Sequence, residues 1–337
     1  VTTGAPVAIR IGNSEWPKWE TVMNADPVDP SALLIDAGTG DEREIARNRP
    51  LTRPRPGHAD LPGMLSYDLS EARPVLERAS ARETAARVAL GALAEALLDQ
   101  VAGIRLVSHV VAVGAQRASA STIPTPADEE ALCAASMRTL DLADNARFEA
   151  AVDEAKHSGD TIGGVVEVIA YDVPVGLGTH VSARERLDAR LAGALMSIQS
   201  VKGVEIGDGF AQAALLGSAA HDEIVRGEDG HLTRTTNHAG GIEGGTSNGA
   251  PIVARAGFKP ISTVPRALRS VDLATGEEAV GLHQRSDTCQ VVPGAVIAEA
   301  EVALVLADAL FDHAGGRSVA EMRRNLDSYC QVVGERA

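Results

Sequence analysis

In some stretches of this chain the hydrophobic positions follow the spacing of a strand, and in others they follow the spacing of a helix. Apolar and polar residues alternate over Val7–Ile11, and Leu106–Val113 is almost continuously apolar, so both stretches are predicted as strands. Gly159–Gly178 is predicted as a turn, a strand and a second turn. Three segments run from a threonine through glycine into a strand-like stretch, which indicates either repeated β units or only shared strand-entry chemistry; they begin at Thr3, Thr161 and Thr246.

Helical periodicity is clearest in three other segments. Glu71–Asp99 has an Ala-rich body with high helix propensity and is predicted as one long helix. Arg184–Lys202 is predicted as a second helix that Gly203 stops, and Val296–His313 is predicted as the final helix. The strands and helices alternate without a regular βαβ rhythm, which predicts an α+β fold in one packed domain.

Two segments are predicted as loops. Residues 31–49 are rich in Pro, Asp and Gly and are predicted to be a loop insertion, and residues 116–128 are predicted to be a flexible Ser/Pro-rich loop. The sequence at Val1 resembles the turn that leads into a strand. We therefore expect the domain to be incomplete at its N-terminal side.

Composition and charge narrow the class of protein. Of the 337 residues 45% are hydrophobic but only 3% aromatic, so the core must consist of Ala, Val, Leu and Ile. The net charge of −15 argues against a nucleic-acid-binding surface, and an anionic substrate would need a local cluster of basic side chains. The three cysteines are widely spaced, which fits a reducing cytoplasm and gives no zinc signature. Acidic residues interrupt the longest apolar run, so no membrane span is predicted.

The stretch Gly240–Thr263 combines glycines with a lysine and two hydroxyl groups. Glycine lets the backbone approach a ligand closely, and Lys259 with Ser262 and Thr263 can hold an anion such as phosphate. Neither a P-loop nor a GxGxxG pattern is present. A glycine-rich turn that enters a buried strand is the alternative, and this stretch alone does not decide between them.

Basic residues gather at two further places. Two arginines and His58 share the stiff turn Leu51–Asp60, for which the alternative is a solvated surface loop. Arg78, Arg82 and Arg87 lie near the start of the predicted long helix, for which the alternative is a solvated basic face.

Four of these stretches, taken in order, resemble the chorismate synthase family. They are RPGHAD (Arg55–Asp60), ERASARETAARVA (Glu77–Ala89), GGIEGG to KPIST (Gly240–Thr263) and HQRSDTC (His283–Cys289), and IQSVKGVEIGDGF (Ile198–Phe210) fits as well. The resemblance covers Val1 to Gly334. It implies the anti-1,4-elimination of phosphate from 5-enolpyruvylshikimate-3-phosphate to give chorismate, with reduced FMN (FMNH2) as the cofactor. It also implies helices packed between antiparallel β-sheets (a β-α-β sandwich), a homotetramer in the cytoplasm, and a separate flavin reductase as the electron source.

The resemblance further implies roles for particular residues. His58 is expected to stabilise negative charge on the reduced flavin, and Asp287 is expected to act as a general base near the flavin N5 atom. A simple salt bridge between Asp287 and Arg285 is the alternative. The substrate carries two carboxylates and a phosphate, and guanidinium groups suit such anions; Arg53, Arg55, Arg82 and Arg285 are expected to supply them. The expected FMN contacts are Arg78, Ala79, Ser80, Gln199, Ser200, Gly244, Lys259, Pro260, Ile261, Ser262, Thr263 and Arg285, and no metal is expected.

One motif of the family has no counterpart in this sequence. The family carries a GESHG-type motif with a second catalytic histidine, and the remaining histidines here, such as His109, His238 and His313, are expected to be ordinary surface or core residues. The leading interpretation is a chorismate synthase without its N-terminal segment, with slow turnover. The alternatives are an FMN-binding remnant that catalyses nothing, and an ordinary flavin oxidoreductase, which the lack of an NAD(P)H fingerprint disfavours.

Overall fold

A computed structural model describes residues 2–33, 48–119, 122–228, 230–282 and 286–336 of the chain. These residues form two compact units. Unit 1 comprises Val1–Val7, Thr84–Ile261 and Ser286–Ala337, and unit 2 comprises Ala8–Glu83 and Ser262–Arg285. Each unit is therefore assembled from segments that lie far apart in the sequence.

The secondary structure is mixed, as an α+β fold requires. The helices are α1 (Trp16–Trp19), α2 (Asp60–Ser66), α3 (Arg73–Ala79), α4 (Thr84–Ala102), α5 (Glu129–Ala134), α6 (Leu142–His157), α7 (Leu187–Met196), α8 (Gly217–Ala220), α9 (Val291–Ala314) and α10 (Val319–Arg336). The strands are β1 (Arg105–Val113), β2 (Gln116–Arg117), β3 (Gly164–Tyr171), β4 (Val201–Ile206), β5 (Ile224–Arg226), β6 (Leu232–Arg234), β7 (Ile242–Glu243), β8 (Thr246–Ser247), β9 (Ile252–Phe258), β10 (Arg269–Val271) and β11 (Glu278–Val280).

A five-stranded antiparallel sheet forms the centre of unit 1. Its strand order is β2-β1-β3-β9-β4, and the remaining strands of the described residues form three two-stranded hairpins. The burial of β9 alternates strictly, with Ile252, Ala254, Ala256 and Phe258 in the core. The residues between them, such as Val253, are half-buried, because the other face of the sheet is covered by the smaller cluster of Val107, Leu132 and Ile169.

Helices α4, α7 and α9 cover the core face of this sheet. Helix α9 contacts β1 and β3, and it packs closely against α4 at Gly91, where an added Cβ atom would lie 2.4 Å from the Cβ of Ala300. Only glycine allows the two helices to approach this closely. Among the described residues, no helix has the length and the apolar character needed to cross a membrane.

A buried acidic group lies where α4, α5, α9 and β1 meet. The Glu299 carboxylate accepts hydrogen bonds from the Ser108 hydroxyl and from Arg138, which also pairs with Glu129 at 3.0 Å. Burial and the charges of Glu299 and Glu129 raise the pKa of Glu95 to about 7. Burial also raises the pKa of Glu299. The group therefore contains carboxyls that resist ionisation in the folded state.

Unit 2 has a small core of its own. Leu51, Met64 and Ala72 are buried there, and Leu282 packs against them. The segment around Leu51–Asp60 is held by backbone hydrogen bonds from the region of the β10–β11 hairpin, since Leu273 N–H donates to the Thr52 carbonyl at 3.0 Å. The hydroxyl of Ser270 also donates to the Pro54 carbonyl at 2.5 Å.

The predicted long helix Glu71–Asp99 is wrong as a single element. It is divided into α3 and α4, because Ser80 adopts an extended conformation (φ −67°, ψ 137°) and a 3₁₀ turn follows at Ala81–Glu83. The prediction for Arg184–Lys202 is too long, because α7 ends at Met196 and Val201 begins a strand. Val201 lies opposite Phe258 of β9, so sheet pairing overrides helix propensity there.

Three other predictions also differ from the structure. Among the described residues no strand is assigned at Val7–Ile11. The expected loop at residues 116–128 contains β2 and a 3₁₀ turn whose start Thr125 and Asp128 cap reciprocally, while positions 120 and 121 lie outside the described residues. The final predicted helix corresponds to α9, but the amphipathic helix α10 follows it and was not predicted. Most of the predicted insertion, residues 34–47, lies outside the described residues.

Candidate functional site

The candidate site residues of unit 2 centre on a buried group that we name the Arg55–Asp60 cluster, composed of Arg55, His58, Asp60 and Thr263. Asp60 is fully buried and accepts hydrogen bonds from the Arg55 Nε atom at 2.8 Å and from the His58 Nδ1 atom at 2.5 Å. The Arg55 Nη1 atom donates to the Thr263 hydroxyl at 3.1 Å. The cluster therefore joins one end of the RPGHAD motif to the last residue of KPIST.

The local sequence explains how these side chains converge. Gly57 has a positive φ of 75°, which lets the chain turn sharply after Pro56, and the His58 N–H donates to the Arg55 carbonyl at 3.2 Å. Asp60 begins α2, so its carboxylate returns to the turn and also accepts from the Arg55 backbone N–H at 3.0 Å. The turn and the first residue of the helix thus form one hydrogen-bonded unit.

The electrostatics of the cluster favour an ionised Asp60. Burial alone would raise the pKa of Asp60, but the hydrogen bonds from His58 and Arg55 outweigh burial and hold that pKa well below its usual range. An ionised carboxylate only accepts hydrogen bonds, so the Nδ1 atom of His58 must carry the hydrogen. Asp60 therefore fixes both the orientation and the tautomer of His58.

Asp60 was not among the residues that the sequence singled out. The signal was present, because a carboxylate stands two residues after His58 in the same motif. The structure also changes the picture of His58, whose side chain is only 18% exposed and is paired with Asp60. This position does not fit a freely solvated loop histidine.

The four candidate substrate arginines differ in their surroundings. Arg55 is buried and directs its donors to Asp60, to the His58 Nε2 atom and to the Thr263 hydroxyl. Arg53 is exposed, and Arg82 is exposed with an ion pair to Glu15 at 3.1 Å. Arg285 lies outside the described residues. The structure brings Arg55 together with His58, while the substrate-binding roles of all four arginines stay predictions.

Three expected FMN contacts lie at the corner that follows α3. Arg78 and Ala79 end the helix, and Ser80 is its C-terminal cap. The Ser80 hydroxyl accepts from the Arg82 N–H at 3.3 Å, and its carbonyl accepts from the Glu83 N–H at 3.2 Å. The ERASAR motif therefore forms a corner with exposed basic side chains, and a continuous helix would not produce this shape.

Two further stretches with expected FMN contacts, Gln199–Ser200 and Lys259–Ile261, lie side by side in unit 1. The Lys259 N–H donates to the Ser200 carbonyl at 2.9 Å, which brings the end of β9 next to the Gln199–Ser200 turn. Ser200 has a positive φ of 72°, a conformation that is uncommon outside glycine and that often occurs at functional sites. Burial, and then the charge of Lys202, lower the pKa of Lys259. Two neighbouring ammonium groups create a positive site that a bound anion would relieve.

The glycine-rich stretch forms hairpin turns that lead into a buried strand. Its five glycines at positions 240, 241, 244, 245 and 249 all have positive φ angles. Gly244 and Gly245 make the two-residue turn between β7 and β8, and Gly240 lies so close to Gly207 that a Cβ atom there would be 2.3 Å from the Gly207 nitrogen. Most of these glycines therefore serve close backbone packing. The buried hydroxyl oxygen of Thr246, next to this turn, has no hydrogen-bond partner among the described residues.

Asp287 is exposed and lies shortly before α9. The segment that carries it is attached to the turn before β3, because the Ile162 N–H donates to the Thr288 carbonyl at 3.0 Å and Ile162 forms a parallel bridge with Cys289. His283 and Arg285 lie outside the described residues, so the alternative of a salt bridge between Arg285 and Asp287 stays open.

A separate cavity of about 560 Å³ lies over the other face of the sheet in unit 1. His109, Glu167 and Arg255 line it, and they are bonded to one another through the Glu167 carboxylate at 2.9 Å and 2.6 Å. None of the predicted site residues that the structure describes lines this cavity. Its basic group Arg255 is paired with Glu167, and the carboxylates of Asp141, Asp144 and Asp208 also line it, so this cavity does not suit an anionic substrate. His109 is buried and paired with Glu167, which fits a core histidine.

Comparisons with known proteins complete the description of the site. The family model described as chorismate synthase matches residues 1–311. The chorismate synthase of Beutenbergia cavernae is 60% identical over 336 residues, which cover 99% of this chain and 82% of the relative. That of Mycolicibacterium vanbaalenii is 57% identical over 100% of this chain and 81% of its own length. A solved structure titled "Crystal Structure of Chorismate Synthase" is 38% identical, with a TM-score of 0.70 over 82% of this chain and 77% of that chain.

Proposed function

The chain belongs to the chorismate synthase family of phosphate-eliminating lyases in the shikimate pathway, and we propose that it converts 5-enolpyruvylshikimate-3-phosphate to chorismate by anti-1,4-elimination with reduced FMN. The observation that carries the proposal is the 60% sequence identity to the chorismate synthase of Beutenbergia cavernae, which extends over almost the whole chain. The same similarity favours turnover over the alternative of an FMN-binding remnant.

The residues of unit 1 fit a phosphate-bearing flavin. The positive site at Lys259 and Lys202 suits the FMN phosphate, and the orphaned Thr246 hydroxyl beside the Gly244 turn has a free hydrogen-bonding capacity. We propose that Gln199, Ser200, Gly244 and the segment Lys259–Ile261 contact FMN, together with Ser262, Thr263, Arg285 and the corner at Arg78, Ala79 and Ser80. Reduced FMN supplies electron density that helps the phosphate to leave.

The Arg55–Asp60 cluster is suited to stabilise negative charge. Asp60 holds the Nδ1 hydrogen of His58, because its ionised carboxylate lies 2.5 Å from that atom. A protonated His58 would in turn stabilise an anionic group placed next to its exposed edge. We assign this role toward the reduced flavin to His58, and an orienting role to Asp60.

Charge on the substrate has to be matched by guanidinium groups. Arg53 and Arg82 are exposed and can reorient toward an anion, whereas Arg55 has its donors directed to other groups of its cluster. We propose that Arg53, Arg82 and Arg285 bind the carboxylates and the phosphate of the substrate. Arg55 contributes mainly through the electrostatic potential of the Arg55–Asp60 cluster. Asp287, exposed and ahead of α9, would act as the general base near the flavin N5 atom.

The test is anaerobic incubation of the 337-residue protein with substrate and chemically reduced FMN, followed by detection of chorismate. We expect chorismate only when the FMN is reduced, and we expect His58→Ala to bind reduced FMN less tightly while oxidised FMN is less affected. FMN binding without any chorismate would instead support the inactive remnant. Substrate-independent oxidation of NADPH would support a flavin oxidoreductase.

We further propose that the protein assembles as a homotetramer and receives reduced flavin from a separate reductase. Exposed apolar side chains on the β10–β11 hairpin of unit 2, including Leu268, Val271 and Val280, favour association with a further chain. Sedimentation of the purified protein would establish the number of subunits.

A further inference from the structure

The turn before β3, residues Thr161–Gly163, contacts both the Lys259–Ile261 segment and the segment that carries Asp287. The Thr161 hydroxyl donates to the Ile261 carbonyl at 2.8 Å, and the Ile162 N–H donates to the Thr288 carbonyl at 3.0 Å. The first bond reaches the Lys259–Ile261 segment, and the second reaches the residue after Asp287. Thr161 itself is buried.

Close backbone packing fixes the position of this turn. A Cβ atom at Gly163 would lie 2.2 Å from the Phe258 carbonyl oxygen and 2.9 Å from the Pro260 nitrogen, so the two chain segments are in direct contact. The Gly114 N–H also donates to the Gly163 carbonyl at 2.8 Å. The turn therefore has little freedom to move relative to the end of β9.

The bond from Thr161 continues this attachment beyond the sheet. Pairing between β3 and β9 ends at Gly164 and Phe258, so the residues after Phe258 have no ladder partner on β3. The Ile261 carbonyl, three residues further on, accepts its hydrogen bond from a side chain. Ile261 is half-buried, and a backbone carbonyl that is shielded from water needs such a partner.

We propose that Thr161 is a positioning residue, whose hydroxyl holds the Lys259–Ile261 segment in the conformation that binds FMN. The inference rests on the proposed function, because it requires that this segment contacts FMN. Thr161 acts through the Ile261 carbonyl, at the opposite end of the segment from the bond between the Lys259 N–H and the Ser200 carbonyl. The segment is therefore held at both of its ends.

The test compares three variants of the full chain. Thr161→Val keeps the shape of the side chain but removes the hydroxyl, Thr161→Ser keeps the hydroxyl, and Thr161→Cys keeps a weaker donor. We expect Thr161→Val to weaken FMN binding about tenfold and to alter the visible spectrum of bound FMN. Thr161→Ser should stay within about threefold of the wild type, and Thr161→Cys should lie between them and serves if the valine variant does not fold.

A control separates positioning from general stability. The hydroxyl of Thr236 donates to Asp222 at 2.5 Å in the same unit, and among the described residues no hydrogen bond joins this hydroxyl to a proposed FMN segment. Thr236→Val should lower the resistance to urea without changing FMN affinity or spectrum. Equal losses of FMN affinity in Thr161→Val and Thr236→Val would overturn the proposal, as would equal losses in Thr161→Val and Thr161→Ser.

Lys259→Met tests the premise separately. If Lys259→Met binds FMN like the wild type, the assignment of this segment fails, and the role of Thr161 is overturned with it. If Lys259→Met loses FMN while Thr161→Val retains it within about twofold, only the role of Thr161 is refuted, and the FMN contact stands.

Discussion

Asp60→Asn is the substitution that most directly tests the Arg55–Asp60 cluster. The side chain keeps its shape but loses its charge, and the amide presents two hydrogens where the carboxylate only accepted. At least one of the donors from Arg55 and His58 then faces another donor. We expect the variant to fold with lower stability and to hold His58 less firmly.

The size of the effect follows from the partners that Asp60 has. Its carboxylate accepts from the Arg55 N–H, Nε and Nη2 groups and from the His58 Nδ1 atom, all at 2.5 to 3.1 Å. Hydrogen bonds to charged groups contribute about 1.5–3 kcal/mol each, and removal of one partner of a buried ion pair costs about 3–5 kcal/mol. Because the amide of the Asp60→Asn variant retains one oxygen acceptor, we expect a loss at the lower end of that range, about 3 kcal/mol in the free energy of unfolding.

The assay is urea unfolding of both proteins at several pH values, with Asp99→Asn as the control. Asp99 is exposed on α4, and a surface substitution of this kind changes stability by less than about 0.5 kcal/mol. The pKa of Asp60 is lowered in the folded protein, so its contribution is present above its unfolded pKa of about 3.9 and is lost as the pH falls further. The difference between wild type and Asp60→Asn should therefore shrink below about pH 4.

The flavin provides a second measurement. Without the Asp60 carboxylate the His58 ring is no longer held in its orientation, so the midpoint potential of bound FMN should become more negative in Asp60→Asn. A variant with wild-type stability at neutral pH and an unchanged midpoint potential would refute the assigned role of Asp60. The carboxylate would then be only one of several groups that satisfy Arg55.

Three further substitutions test other parts of the molecule. Asp287→Asn should keep FMN binding but lower the single-turnover rate about 10²- to 10⁴-fold; a rate within a few-fold of the wild type would contradict the assignment of the base. The folded protein keeps the proton of the Glu95 carboxyl up to a pKa of about 7, so the wild type should lose stability as the pH rises from about 4.5 toward 7. Glu95→Gln should not show this loss. Urea-unfolding profiles of the two proteins that run parallel across that window would contradict the prediction. Gly91→Ala should lower the free energy of unfolding by about 1–2 kcal/mol, because the new methyl group clashes with Ala300. Gly193→Ala in α7 is the control: no atom lies within 4 Å of its new methyl group, so it should raise the free energy of unfolding by up to about 1 kcal/mol. A loss of stability at both positions would rule out the clash as the cause.

The sequence predicted those elements in which local pattern and tertiary structure agree. The strand predicted at Leu106–Val113 and the one predicted within Gly159–Gly178 were confirmed, because their largely apolar stretches are buried in the central sheet. The break at Ser80 was missed, since every residue around it is compatible with a helix and the extended ψ of Ser80 has no local signal. Val201 was assigned to a helix because its pairing with Phe258 is a contact across the sheet that periodicity does not record.

The candidate site, too, could be predicted only where the local sequence carries a signal. His58 was found through a motif, but its partner Asp60 was not, because the sequence shows two nearby polar residues without showing which of them is buried. The bond between Thr161 and Ile261 joins residues that are 100 positions apart, and no spacing rule connects them. A reactive side chain such as His58 could be predicted from the motif that contains it. The groups that orient such side chains and segments, Asp60 and Thr161, became visible only in the folded structure.

The Arg55–Asp60 cluster also has a consequence for the order of events during synthesis. Arg55 and Thr263 are separated by 208 residues, and the hydrogen bond from Ser270 to Pro54 spans 216. At about 5–20 residues per second, a ribosome needs roughly 10–40 s between the two ends of such a contact. During that interval the nascent chain carries Arg55, His58 and Asp60 without Thr263 and without the β10–β11 hairpin. Most of unit 1 has then already emerged, so unit 2 is completed late in translation, and a ribosome stalled before residue 263 would display a chain in which this cluster is still unassembled.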